Sequence, residues 1–176
     1  MDKEEYQYST DRLLVCEWHS IPSNEWNQAG LDAVVINILT PNVTKSLPPA
    51  WQGPYSLQRA NAWISERDKE GVTLIVVDKS SREAIGLVIL SGSENGKDFL
   101  LGYMLKESAW GHGYASELIQ GFIEWSKHYN ISTITGGVEV DNIASRRVLE
   151  KNGFMRESEI NESEEQMYVW RNRQKK

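Results

Sequence analysis

Three apolar segments rich in β-branched residues, separated only by short turns, place the strongest constraint on how this chain can fold. They cover Val72–Asp78, residues 84–90 and Asp98–Leu105. The separators, residues 78–81 and 91–96, are rich in Ser, Asp, Asn and Gly, and connections this short join neighbouring antiparallel strands. We therefore predict an antiparallel meander at the centre of the molecule.

The segments on either side of this meander predict an α/β (α+β) fold. Only the connection through residues 114–129, an amphipathic helix, has the character of a crossover between parallel strands. We predict a mixed, mostly antiparallel twisted sheet of about six to seven strands, with helices on both faces. The other predicted strands cover residues 11–18, 132–140, 154–159 and 165–171, and the other predicted helices cover residues 25–39, 56–70 and 143–152.

The composition of the chain predicts a single domain spanning residues 1–176, with its core at about 10–171. The 176 residues are 40% hydrophobic, which is enough to bury one sizeable core. A formal net charge of -6 and a pI near 5.2 argue against nucleic-acid binding, which usually requires a concentrated basic face. We interpret the one basic run, residues 171–176, as a solvated tail.

The cysteine content and the N-terminal residues favour a cytoplasmic protein. Cys16 is the single cysteine, so the sequence excludes an internal disulfide and a cysteine metal cluster. It lies in an apolar run and is interpreted as a packing residue. Residues 1–5 are acidic, unlike a secretory signal, and no stretch approaches the roughly 20 apolar residues of a membrane span.

A strand, a glycine turn and an amphipathic helix follow one another in residues 99–117, and this order predicts an anion site. Gly111 and Gly113 allow a ligand to approach the backbone. The N–H groups at the start of the helix, together with the positive end of its dipole, suit a phosphate or pyrophosphate. Taken alone, the two glycines are equally consistent with a simple tight turn.

Other phosphate and metal sites do not fit this turn. A P-loop would close with Gly-Lys-Ser or Gly-Lys-Thr, and a Rossmann fingerprint would add a third glycine and a later acidic residue. Neither pattern is present. His112 has no second histidine at ligand spacing, because the others are His19 and His128, so no metal is predicted.

A second polar cluster lies where the predicted strand 132–140 leads into the predicted helix 143–152. Asn142 can cap this helix and Ser145 lies in its first turn, beside the glycine turn if the two strands are neighbours. Gly153 ends the helix and Phe154 enters the core. Each residue has a structural explanation when taken singly, but the combination indicates a ligand site.

These motifs, in this order and spacing, resemble the GNAT family of N-acetyltransferases, and within it the branch that includes ribosomal-protein N-terminal acetyltransferases. The resemblance covers residues 10–171, with a weaker motif at residues 10–14. The three main motifs are Trp110-Gly111-His112-Gly113-Tyr114-Ala115-Ser116-Glu117, Asn142-Ile143-Ala144-Ser145 and Glu150-Lys151-Asn152-Gly153-Phe154.

The resemblance implies that acetyl-CoA binds in a cleft between two separating strands, here those that end near Leu105 and Val140. It implies that the pantetheine arm pairs with the backbone of Tyr103, Met104 and Leu105. It further implies that the turn amides hold the pyrophosphate, at Gly111, His112, Gly113, Tyr114 and Ala115.

Two further positions match the family, and three depart from it. Asn142 matches a cofactor-contacting asparagine, and Ser145 matches a serine that assists the departing thiolate. Ser108 replaces the Gln or Arg of the general motif, Leu149 stands where many members have a tyrosine acid, and Cys16 replaces an arginine common in this branch. Ser145, or water, is therefore expected to protonate the thiolate.

The sequence predicts direct acetyl transfer to a primary amine in a ternary complex, without an acyl-enzyme. Glu139 is the candidate general base, although it is also consistent with a surface glutamate. The alternative is a binding module of the same fold that senses acyl-CoA without turnover.

The sequence does not decide whether the acceptor is a peptide N-terminus or a small-molecule amine, or whether the protein forms a homodimer. The acceptor pocket is expected to be shaped by the Pro-rich segment 39–55 with Trp51, by Trp63 and by the turn before Gln166. The five helix breakers of segment 39–55 predict a loop without a regular element.

Overall fold

The computed structural model describes residues 1–160 and 165–173, and within them eight strands form one sheet. The end of the predicted basic tail, residues 174–176, lies outside the described residues. The strands are β1 (Gln7–Ser9), β2 (Leu13–Glu17), β3 (Val72–Asp78), β4 (Ala84–Gly92), β5 (Asp98–Leu105), β6 (Thr133–Glu139), β7 (Met155–Ile160) and β8 (Glu165–Arg171). The helices are α1 (Leu31–Ile38), α2 (Pro41–Thr44), α3 (Leu57–Glu70), α4 (Tyr114–His128) and α5 (Ile143–Lys151).

The strand order is β1-β2-β3-β4-β5-β6-β8-β7, and it confirms the mixed, mostly antiparallel sheet. Strands β3, β4 and β5 form the predicted antiparallel meander. The single parallel pair among the described strands is β5 with β6, and the chain crosses between them through α4. The predicted crossover is therefore correct, and a parallel pair requires such a connection.

Strands β5 and β6 separate before they end. Their pairing runs from Asp98 opposite Thr133 to Leu101 opposite Gly136 and stops there. β5 continues to Leu105 alongside β4, whereas β6 continues alongside β8. A gap therefore opens between the C-terminal ends of two neighbouring strands, as the resemblance implied.

Helices cover both faces of the sheet, as predicted, and enclose two apolar cores. The apolar side of α4 packs with Phe99 and Leu101 of β5 on one face. Helices α1 and α3 pack with alternate residues of β2 to β4 on the other face, where Met104 of β5 also lies. Successive strand residues point to opposite faces, so β5 contributes to both cores.

Two predictions for the segment before α3 are wrong. The helix expected over residues 25–39 begins only at Leu31, because Asn27 is held outside it by hydrogen bonds to the carbonyls of Ser81 and Arg82. The segment expected to lack regular structure contains α2 and the 3-10 turn Pro49–Trp51. Both begin with proline, where its missing N–H and fixed φ favour a helix start.

The sheet has one strand more than the six to seven predicted, because neither a periodic pattern nor a turn signal indicated β1. Its three residues pair with β2, and the Tyr8 hydroxyl donates to the carbonyl of Leu118 on α4 at 2.8 Å. A β-carbon on Gly121 would lie 2.6 Å from the Tyr8 ring. A glycine in the middle of α4 therefore lets β1 pack against that helix.

Candidate active site

A cleft with a volume of about 1100 Å³ opens where β5 and β6 separate. The turn before α4 forms one end, and the start of α5 borders the middle. The other end is lined by the segment that carries α2 and by Leu100 and Gly102 of β5. These two residues share a face with Met104, opposite the face that packs on α4. The cleft therefore connects the two faces of the sheet.

The glycine turn has the backbone geometry of an anion site. Gly111 and Gly113 both have φ of 77°, in the left-handed region, and Gly113 directly precedes the first residue of α4. Four of the five predicted turn residues line the cleft: Gly111, Gly113, Tyr114 and Ala115. The free N–H groups and the positive dipole end of a helix of four turns thus face this end of the cleft.

His112 does not line the cleft as the other turn residues do, because the turn points it elsewhere. Its carbonyl accepts a hydrogen bond of 2.9 Å from Arg12, and its ring lies 6.1 Å from that of Tyr114. The guanidinium of Arg12 also lies over the Tyr114 ring, 4.2 Å from its centroid. His112 therefore contributes to the turn through its backbone.

Arg12 ties the start of β2 to the first turn of α4 through Glu117. The Arg12 Nε donates to Glu117 at 3.0 Å, and the Thr10 hydroxyl donates to the same carboxylate at 2.7 Å. Partial desolvation favours protonation, but these hydrogen bonds outweigh it and lower the pKa of Glu117. The weak motif at residues 10–14 therefore holds the glycine turn and the first turn of α4 in place through hydrogen bonds. The spacing of these residues along the sequence did not predict this contact.

Asn142 and Ser145 occupy the positions predicted for them at the start of α5. The Asn142 side chain caps the helix by accepting a hydrogen bond of 3.2 Å from the Ser145 N–H. Both residues line the cleft. The polar start of α5 therefore lies across the cleft from the end of β5.

The Tyr103 side chain bridges this gap, with its hydroxyl 2.7 Å from the Ser145 hydroxyl. Burial raises the pKa of Tyr103, and the hydrogen bond to Ser145 only partly offsets this effect. The phenol therefore stays protonated at neutral pH and can donate to Ser145. The sequence assigned Tyr103 a backbone role alone, and no motif indicated that its side chain reaches α5.

The backbone of Tyr103, Met104 and Leu105 borders the cleft as predicted, on the side where β6 has moved away. The Trp110 Nε1 donates to the Leu105 carbonyl at 2.9 Å and fixes the indole beside the cleft. Leu149 is buried in the core beneath α5. Leu149 therefore packs in the core and also forms part of the apolar lining of the cleft.

Two carboxylates lie opposite each other on β6 and β8. Glu139, the predicted base, pairs in register with Glu165, and both line the cleft. A β-carbon at Gly137 would lie 2.7 Å from Glu165 Oε2, so this carboxylate lies over β6 at Gly137. Glu165 could not be predicted as a cleft residue from the sequence, because only the pairing of β6 with β8 brings it there.

Of the features expected to shape the acceptor pocket, the two tryptophans differ in position, and residues 161–164 of the turn before Gln166 lie outside the described residues. Trp51 lines the cleft, whereas Trp63 is buried behind it, with the two rings 5.5 Å apart. The Arg67 guanidinium packs beside both rings, 4.6 Å from the Trp51 centroid and 5.5 Å from the Trp63 centroid, and pairs with Glu70 at 3.0 Å. Trp51 is thus both a wall of the cleft and part of the packing around a buried cation.

Other site types find little support in the described part of the chain. No group of three or more His, Cys, Asp or Glu side chains is placed to hold a metal ion there. Likewise, none of the helices within residues 1–160 and 165–173 is long and apolar enough to cross a membrane.

The chain belongs to the GNAT acetyltransferases, because the family described as Acetyltransferase (GNAT) domain matches residues 24–155. A search of curated proteins gave no match. Solved structures agree on the fold. An acetyltransferase of the GNAT family from Bacillus anthracis superposes with a TM-score of 0.73 at 18% identity, covering 94% of this chain and 98% of that one.

Two ligand-bound structures share the fold. RimL, a ribosomal L7/L12 alpha-N-protein acetyltransferase in complex with coenzyme A, has a TM-score of 0.68 at 17% identity and covers 92% of this chain and 95% of its own. AAC(6')-Ib in complex with ribostamycin and coenzyme A has a TM-score of 0.71 at 15% identity, with coverages of 93% and 95%. At these identities the likeness establishes the fold, and it leaves the acceptor of this chain open.

Proposed function

We propose that this protein transfers the acetyl group of acetyl-CoA to a primary amine, by direct attack within a ternary complex. The observation that carries the proposal is the cleft itself, which joins an anion-binding turn to a pair of carboxylates through the gap between β5 and β6. A nucleotide thioester and an amine can enter from opposite faces of the sheet and meet in this gap. Positioning two substrates in this way supplies much of the acceleration of a bimolecular reaction.

The proposed cofactor contacts follow the geometry of the cleft. The pyrophosphate binds the N–H groups at the turn of Gly111 and Gly113. The pantetheine arm lies along the open backbone of Tyr103, Met104 and Leu105. Backbone N–H groups of this strand polarise the thioester carbonyl as an oxyanion hole does.

The reaction requires the bound ammonium to lose one proton before attack and the nitrogen to lose a second proton as the amide forms, while the negative charge left on sulfur is stabilised and then protonated. Glu139 and Glu165 are the groups proposed to accept the amine proton, directly or through water. The amine nitrogen forms a bond to the carbonyl carbon, and the bond from that carbon to sulfur then breaks. Ser145 hydrogen-bonds to the departing thiolate, while Tyr103 donates to the Ser145 oxygen and leaves the serine proton free to point at sulfur.

Direct transfer is favoured over an acyl-enzyme, because the one thiol is unsuited to attack. Cys16 is buried on β2, and burial raises its pKa to about 12. A thiol with this pKa is almost entirely protonated at neutral pH, and the thiolate is the reactive form.

Release of free CoA thiol from acetyl-CoA, with and without a panel of primary amines, tests the proposal. We expect thiol release that depends on the amine and a product amine that carries one acetyl group. Tight CoA binding with no release for any amine would instead identify an acyl-CoA-binding module. Failure to bind CoA would contradict both functions.

A further inference from the structure

The cleft has an apolar floor on the face of the sheet opposite α4. Leu100 lies on a central strand and is nevertheless 56% exposed. It pairs in register with Ser91 of β4 and with Thr135 of β6, so the uncovered side chain lies in the middle of the sheet. Ile89 and Trp51 border the same part of the cleft.

Two glycines form the next row of this floor. Gly102 lies opposite Ile89, and no atom lies within 4 Å of the position that its β-carbon would occupy. Gly137 is the residue after the last β5–β6 pair on the other strand. Glycines in a strand often mark a place where a ligand approaches the backbone closely. Gly102 therefore leaves open space at the point where the strands separate, whereas the Glu165 carboxylate and the Met167 sulfur occupy the position over Gly137.

The Glu165 carboxylate lies over Gly137, beside this open space. Leu100 lies two residues along β5 from Gly102, which is about 7 Å along a strand. Thr135, Gly137 and Glu139 alternate on β6 and share the face of Leu100. Because Thr135 is the partner of Leu100, the Glu165 carboxylate over Gly137 lies one strand across and two residues further along from this apolar side chain, on the same face of the sheet.

We infer that the acceptor is a primary amine carrying an apolar group next to the amine, with that group seated on Leu100 and the ammonium beside Glu165. The inference rests on the proposed acetyltransferase function and specifies its acceptor. The shared chemistry occurs in a peptide that begins with a leucine or phenylalanine residue and in a small amine such as phenethylamine. Leu100 and Gly102 are the specificity-determining residues of this subsite.

Peptides that differ only in the first residue test the inference. With the wild-type protein, kcat/KM is expected to be higher for a peptide that begins with leucine than for one that begins with serine. Leu100→Ser removes the apolar contact and should lower kcat/KM for the leucine peptide roughly tenfold. Leu57→Ser is the matched control, because Leu57 is 59% exposed on α3 and does not line the cleft.

Gly102→Val tests the same subsite by filling it. No atom lies within 4 Å of the added β-carbon, and circular dichroism checks that the variant folds. We expect acetyl transfer to the leucine peptide to fall at least as much as in Leu100→Ser, with an unchanged Kd for CoA. Parallel reactions with phenethylamine distinguish a peptide acceptor from a small-molecule acceptor. Turnover of the peptides without turnover of phenethylamine indicates that the acceptor is a protein N-terminus.

Titration of the same peptides into the CoA-loaded protein separates this inference from the proposed function. Preferential binding of the leucine peptide, lost in Leu100→Ser, supports the subsite even if no acetyl group is transferred. Wild-type turnover with no preference among first residues, and no effect of Leu100→Ser or Gly102→Val, would overturn the inference and leave the acetyltransferase intact.

Discussion

The hydroxyl groups of Tyr103 and Ser145 lie 2.7 Å apart and join the end of β5 to the first turn of α5. These residues are 42 positions apart in the chain, on the two sides of the proposed cofactor cleft. The contact gives the Ser145 hydroxyl a fixed hydrogen-bond partner. The buried Leu149, which stands where the resemblance implied a tyrosine acid, cannot donate a proton. The contact between Tyr103 and Ser145 is therefore the arrangement through which we expect the departing thiolate to be stabilised.

Replacing Tyr103 by Phe removes one neutral hydrogen bond and should lower kcat roughly five- to tenfold. The KM for acetyl-CoA should change little, because the cofactor contacts proposed for this residue are made by its backbone. Ser145→Ala should lower kcat by at least as much. Steady-state kinetics with saturating amine provide both measurements.

The double variant decides whether Tyr103 acts through Ser145. In the Ser145→Ala background, Tyr103→Phe should have almost no further effect on kcat, since the group that it positions is gone. Effects on kcat that multiply, as for independent residues, would show that Tyr103 does not act through Ser145.

Replacing Glu139 by Gln should change activity and stability in opposite directions. Like charges directly opposite on two strands are destabilising, so the neutral side chain should raise Tm slightly. Loss of a proton acceptor should lower kcat/KM for the amine, by roughly 10²-fold if Glu139 is the main base. A parallel Glu165→Gln variant identifies which of the two carboxylates contributes more to kcat/KM for the amine. Full activity in both variants would contradict the role proposed for these carboxylates as proton acceptors.

Replacing Gly113 by Ala should weaken CoA binding roughly tenfold, because the turn must distort at the proposed pyrophosphate site. Gly96→Ala is a matched control. Gly96 has φ of 68°, similarly in the left-handed region, but it lies in the β4–β5 turn away from the cleft. Isothermal titration calorimetry should give an unchanged Kd for this control, although both variants lose stability. Equal CoA affinity in all three proteins would contradict the assigned site.

Replacing Glu117 by Gln should lower Tm at pH 7 by a few degrees, through loss of its contacts with Thr10 and Arg12. The pKa of Glu117 is lowered in the folded protein, so its contribution is present above the unfolded pKa of about 4.3 and is lost as pH falls below it. The difference in Tm between wild type and variant should therefore shrink below about pH 4.

Glu124→Gln is the control on the same helix, since its exposed pair with Lys127 contributes little. Thermal melts of the three proteins between pH 3 and pH 8 are the measurement. A Tm difference for Glu117→Gln that is independent of pH would mean that its charge is not what stabilises the turn.

The elements that could be predicted from the sequence are those whose signal is local. The meander, α4 and the cap of α5 follow from periodicity, turn residues and a single side-chain capping bond. Asn142 and Ser145 were found because capping residues are neighbours in sequence. β1 was missed, because three residues carry no detectable period and depend on packing against Gly121.

The remaining site features arise from contacts between distant segments. Glu165 reaches the cleft only through its register with Glu139, and register is set by the completed sheet. The Arg12–Glu117 ion pair and the Tyr103–Ser145 contact likewise join segments about 105 and 42 residues apart. No pattern within either segment specifies its partner, so these contacts could not be predicted before the fold was known.

A single-turnover reaction, with protein and acetyl-CoA in equal amounts and an excess of a leucine-initiated peptide, tests the central claim most directly. Mass spectrometry of the quenched mixture follows the protein, the peptide and CoA together. We predict that free CoA and acetylated peptide form at the same rate and that the protein never gains mass. An acetylated protein preceding the peptide product, or loss of the acetyl group to water alone, would contradict direct transfer in this cleft.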